Sequence, residues 1–127
     1  FDWQTDLDAA KKEMAAKKRG GLVYVYSKKD GESAEARRVQ NEVLFDPMLR
    51  HFGRQAVVVK VDREANAELC TKLGVEETPA LVVLKPDGEV ALAQSGKKVK
   101  ASKLAKALRK HVKDKAPPKS PGIYLHR

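Results

Sequence analysis

The hydrophobic pattern changes period along the chain, and each change marks an element. Trp3, Leu7, Ala10 and Met14 recur at spacings of 4, 3 and 4, one face of a helix over about 4–18. Asp2 is placed to cap it, its lysines gather toward the C-terminal end, and Gly20-Gly21 stops it. The run 22–26, Leu-Val-Tyr-Val-Tyr, is β-branched and aromatic and reads as a strand. A polar loop over 27–32 follows. A second helix then covers about 34–52, with Val39, Val43, Leu44, Met48, Leu49 and Phe52 turned inward. Pro47 breaks it near Asp46. The apolar run 56–62 is a second strand, expected at the centre of a sheet, and 66–73 is a short helix stopped by Gly74.

The most informative stretch is 75–90. Ala80 to Leu84 is a continuous apolar run between Pro79 and Pro86, as suits a strand covered on both faces. Pro79 sits where a missing N–H is tolerable, at the opening of the strand. Pro86-Asp87-Gly88 is a tight turn: Pro fixes φ, Asp bonds local backbone and Gly accepts positive φ. A further strand over 89–94 and a last helix over about 101–112, with the stripe Leu104, Leu108 and Val112, complete the fold. The segment 116–122 holds three prolines and is extended, and Ile123-Tyr124-Leu125 gives it a small apolar end. No internal repeat is present. Alternating helices and strands followed by a hairpin predict a mixed sheet with helices on both faces and a right-handed βαβ crossover.

Charge alters this picture in one place. The formal net charge is +9. From residue 97 to the end there are eleven Lys or Arg and one acid, a net of +10, whereas residues 1–96 carry fifteen bases and sixteen acids, a net of −1. The basic character therefore belongs to the last helix and tail. Lys97, Lys98, Lys100, Lys103, Lys106, Arg109, Lys110 and Lys113 form a candidate patch for nucleic acid, an anionic surface or an acidic protein. The bland counterpart is a solvated lysine-rich helix face. With 127 residues the chain makes one domain, drawn at 1–113 with a basic Pro-rich tail at 114–127. No apolar run approaches the length of a membrane span. The first residue is Phe1 rather than Met. An export signal, another domain or a cloning boundary each explain that, and an exported product, periplasmic or secreted, is the reading favoured.

The order of elements, with Thr78-Pro79 before a strand that enters a Pro-Asp-Gly hairpin, resembles the thioredoxin-like fold superfamily. Trp3, Asp46-Pro47, Val61-Asp62, Asn66, Leu69, Val75, Thr78-Pro79 and Asp87-Gly88 match that pattern in order and spacing across about 2–113. The resemblance implies an α/β thioredoxin-like fold: a mixed four-stranded sheet flanked by helices, here with an extra N-terminal helix. It further implies a cis Thr78–Pro79 bond facing the redox site across a groove, with the Thr78 backbone free to pair with a partner strand.

The defining chemistry of that family is missing. Its Cys-x-x-Cys pair falls on Ser33-Ala34-Glu35-Ala36, and a serine hydroxyl stays protonated at pH 7 and does not exchange disulfides. Ser and Ala are also residues installed to remove cysteines. The loop 28–32 lacks the tryptophan that commonly precedes the motif, which favours natural loss. Cys70 is the single cysteine, so no intrachain disulfide forms. It is either a lone reactive thiol or a small hydrophobe beneath the sheet. Ser33 and Glu35 at a helix start are either an anion or peptide contact or ordinary capping. His51, His111 and His126 have no metal-ligand spacing, and no nucleophile triad, P-loop or cofactor motif is present. The expectation is a redox-inactive, non-enzymatic module with no metal or cofactor and a protein partner. The two alternatives are an electrostatic binder using the basic segment and a one-cysteine oxidoreductase using Cys70.

Overall fold

The computed structural model describes residues 1–31 and 33–118. Ile123-Tyr124-Leu125 lies outside the described residues. The elements are α1 (Leu7–Lys17), β1 (Gly21–Tyr26), α2 (Ala34–Asn41), α3 (Pro47–Gly53), β2 (Val57–Asp62), α4 (Ala67–Lys72), β3 (Ala80–Leu84), β4 (Val90–Ser95) and α5 (Ala101–Arg109). The strands form one sheet in the order β2-β1-β3-β4. β1 runs parallel to β2 and antiparallel to β3, and β3 runs antiparallel to β4.

The sheet alternation sorts side chains into two layers. Val23, Val25, Val59, Val82 and Leu84 face α1 and α4, and pack with Leu7, Met14, Cys70 and Leu73. Leu22, Tyr24, Val58, Leu81 and Val83 face α2, α3 and α5, and pack with Val39, Leu49, Phe52, Leu104 and Leu108. Every residue of β3 is buried, as its unbroken apolar run requires.

Five sequence expectations shift. The first helix begins at Leu7 with Asp6 as its cap, its carboxylate accepting from the Ala9 amide at 3.2 Å; Asp2 does not cap it. Trp3 lies ahead of the helix, in a segment where Gln4 bridges to Val59. The helix ends at Lys18, which takes the left-handed conformation itself (φ 55°). Gly20 and Gly21 instead allow close packing: a Cβ at Gly20 would stand 2.7 Å from the Leu84 carbonyl oxygen, and one at Gly21 would overlap the Met14 sulfur. β2 is an edge strand rather than a central one, because β1 and β3 take the middle positions. The Gln4 amide donates to the Val58 carbonyl at 3.0 Å and the Lys60 amide to the Gln4 carbonyl at 2.7 Å, which partly covers that edge. The break near Asp46 is wider than one kink: a 3-10 turn over Val43–Phe45 separates α2 from α3, and Asp46 caps α3. Finally, α5 stops at Arg109, although Val112 stays buried beyond it.

The boundary drawn at 113 falls where the chain is still attached. Gln55 holds residue 114 through two bonds, Nε2 donating to the Asp114 carbonyl at 3.0 Å and Oε1 accepting from the Asp114 amide at 2.9 Å. His51 Nε2 lies 2.9 Å from the Ala116 carbonyl oxygen.

Candidate functional site

The Ser33 and Thr78 regions, 45 residues apart in sequence, meet in one cleft of 440 Å³. On one wall, Ser33 caps α2, its Oγ accepting from the Ala36 amide at 3.2 Å. Ala36 is buried, Glu35 half-buried and Ala34 exposed. On the other wall the chain turns through Thr78 into β3. The Thr78–Pro79 peptide is cis, Pro79 is buried and Thr78 half-buried. Among the described residues neither the Thr78 amide nor its carbonyl makes a hydrogen bond.

The third wall is the turn Gly96–Lys98 after β4. Two interactions fix it. The Gly96 amide donates to the Pro79 carbonyl at 2.8 Å, and Arg38 on α2 donates to the Val99 and Gly96 carbonyls at 2.8 and 3.1 Å. Gly96 has φ +54°, and a Cβ there would overlap the Glu77 carboxylate. The cleft is thus polar and mixed in charge, with Asp30, Glu35 and Glu77 facing Lys97 and Lys98. Sequence reasoning brought Ser33 and Thr78 together but missed Arg38, Glu77 and Gly96. A glycine directly after a strand was a usable signal for Gly96; nothing in the spacing of α2 singled out Arg38.

Cys70 is elsewhere. It sits on α4 within the aliphatic layer, 2% exposed, and burial pushes its thiol up from the ordinary range. A reactive thiol needs access and a stabilised thiolate, and Cys70 has neither. The reading of Cys70 as a reactive or oxidoreductase thiol is corrected accordingly: it packs as a small hydrophobe.

Lys97, Lys98, Lys100, Lys103, Lys106, Arg109, Lys110 and Lys113 are all exposed. Among the described residues the one ion pair is Glu13–Lys17 on α1, so none of these eight cations is in direct contact with a carboxylate there. The same residues contain no group of three metal-ligating side chains and no helix long and apolar enough to cross a membrane.

Comparison with known proteins agrees on architecture. No protein-family model matches the chain, and no curated protein matches it. Among solved structures, the chain is similar to a DsbH oxidoreductase at 18% identity and TM-score 0.66, covering 86% of this chain and 85% of that one. It is similar to a thioredoxin from Thermus thermophilus at 21% identity and TM-score 0.65, covering 87% of each. A thioredoxin from Fasciola hepatica aligns at 24% identity and TM-score 0.60, over 83% of this chain and 90% of that one. The chain therefore has a thioredoxin-like fold. With one cysteine in 127 residues, it has no pair for dithiol–disulfide exchange.

Proposed function

We propose that the chain is a redox-inactive, non-enzymatic thioredoxin-like module that binds an extended segment of a partner protein in the cleft between Ser33 and Thr78. One observation carries this reading: the Thr78 backbone, half-buried on the cleft wall, has an amide and a carbonyl with no partner among the described residues. An extended chain laid along it satisfies both groups, the mode in which main-chain bonds supply affinity. Neither use needs a cysteine.

The test is an NMR titration of the chain with a permanently unfolded protein, such as reduced and carboxymethylated lactalbumin. Shifts centred on Ser33, Glu77, Thr78, Gly96 and Lys97 are expected. Shifts confined to other surfaces, or none, sink the reading. A parallel reductase assay should show no turnover above free thiol, and turnover that survives alkylation of Cys70 refutes redox inactivity.

A second reading rests on the eight exposed cations from Lys97 to Lys113, which lack carboxylate partners among the described residues. They suit nucleic acid or another anionic surface held through phosphates rather than through bases. Residues 97–127 carry no Phe or Trp and, of the tyrosines, only Tyr124. Binding to a mixed-sequence duplex should weaken steeply between low and moderate salt; salt-independent binding ends this reading.

A further inference from the structure

Five of the seven aromatic residues gather at a place the thioredoxin-like resemblance does not address. Phe1, Trp3, Tyr24 and Tyr26 form a ladder with ring centroids 5.2, 5.6 and 6.1 Å apart. It crosses from the N-terminal segment onto β1, beside the edge strand β2. Phe45, in the 3-10 turn between α2 and α3, faces it across a cleft of 490 Å³. Phe45 is 60% exposed, the largest exposure of any bulky apolar side chain described.

Two cations belong to this cleft. The Arg50 guanidinium lies 5.2 Å from the Phe45 ring centroid. Lys60 Nζ lies 4.6 Å from the Tyr26 centroid and 5.9 Å from that of Tyr24. No acid lines the cleft; Asp2 and Glu13 line the neighbouring one, which Arg50 and Phe1 also border. Among the described residues neither Arg50 nor Lys60 is in an ion pair. Stacking on rings holds each cation in place while leaving its charge uncompensated.

Each part of this arrangement has a bland use alone. Tyr24 is core, and its hydroxyl accepts from Gln40 Nε2 at 3.4 Å. The combination does not reduce to core packing, because Phe45 contributes its ring to water. Exposed aromatics beside arginine, with acids absent, are the composition of protein-interface centres. We propose that this cleft docks an acidic segment of a partner protein. One apolar side chain of that segment lies between Trp3 and Phe45, and flanking carboxylates meet Arg50 and Lys60. The occupant follows from charge: two positions demand an anion, and the surface between them demands an apolar group. The proposal does not depend on the Ser33–Thr78 cleft.

Trp3 is the only tryptophan and reports the test directly. The full chain is titrated with three blocked hexapeptides whose central pairs are Leu-Phe, Phe-Leu and Leu-Leu, each flanked by two glutamates on both sides and none absorbing where Trp3 is excited. A saturable change in Trp3 emission with at least one peptide is expected. Phe45→Ser, at an exposed position, and Arg50→Glu, at a half-buried one, should each weaken it on the order of tenfold or more, the size of a lost interface anchor. Lys12→Gln, an exposed position of α1 outside both clefts and the basic patch, should leave it unchanged. No saturable change with any of the three, equal binding of lysine-flanked peptides, or full affinity in both variants overturns the proposal. Phenylacetate binding as tightly as the peptides also overturns it, in favour of a small-molecule site.

Discussion

The two faces of the sheet are built on different terms. The layer under α1 and α4 is aliphatic throughout: Leu, Val, Ala, Met and Cys70, with no aromatic ring. The layer under α2, α3 and α5 contains Tyr24 and Phe52, and its margin is made of half-buried groups such as Phe1, Trp3, Tyr26, Leu44 and Met48. The aromatic cleft lies on this second side, as do α2, which Ser33 caps, and α5, which carries Lys103, Lys106 and Arg109. One face closes the fold. The other leaves more large side chains incompletely covered, and the contacts proposed above use them.

This contrast is broken most sharply by cavities. Leu84→Ala, in the closed layer, should cost about 2–5 kcal/mol of unfolding free energy. Peptide affinities should stay unchanged in the protein that remains folded. Phe45→Ser, on the open margin, should stay within about 0.5 kcal/mol of the parent yet lose binding to the aromatic cleft. Urea melts and Trp3 titrations of both variants check the pair; equal stability losses would abolish the distinction between layers.

Cys70 sharpens the same point kinetically. In the native chain its labelling by a maleimide should run orders of magnitude slower than that of a free thiol, and urea should restore the rate. Rapid native labelling would mean that the closed layer is open at α4.

Gly96→Ala addresses the wall between the two halves of the first cleft. With φ +54° the new methyl costs about 1–2 kcal/mol in backbone conformation, and Glu77 must swing away. A thermal melt should register the loss, and resonances of Thr78 and Lys97 should move with it.

The smallest effect concerns His111, packed beside Gly20. Burial, followed by the charges of Lys85, Lys110 and Lys115, holds its imidazole below the ordinary 6.5, with Asp87 opposing. A lowered folded value means that the neutral ring is favoured in the native state. This contribution is complete above the unfolded value and lost as pH falls below it. The melting temperature of the parent should therefore drop more between pH 7 and pH 5 than that of His111→Gln. Identical slopes would show that His111 titrates as freely folded as unfolded.

Much of the fold was legible because β3, its Pro-Asp-Gly turn and the helix stripes are local signals. The errors came where tertiary contacts decide. β2 looks central by composition, since Val57, Val58 and Val59 are all buried; α1 and the N-terminal segment, rather than a neighbouring strand, supply part of that cover. Trp3 sits in phase with α1 but is drawn off it by the pairing of Gln4. The first cleft was half legible: Thr78-Pro79 and Ser33 have sequence signatures, whereas Arg38 reaching the Val99 carbonyl across 61 positions has none. The aromatic cleft had one missed signal. Phe45 lies off the inward stripe of its neighbours, and a large ring outside the core asks for a partner.

The Gln4 bridge has a consequence for self-association. An open sheet has two edges, and each is a template for another strand. Here one edge, β2, is partly occupied by the chain's own N-terminal segment, and β4 is the remaining one. A second strand added along β4 meets a sheet whose far side is obstructed. At the β2 edge the Val58 carbonyl and the Lys60 amide are already taken by the main chain of Gln4, so neither is left to template a further strand there.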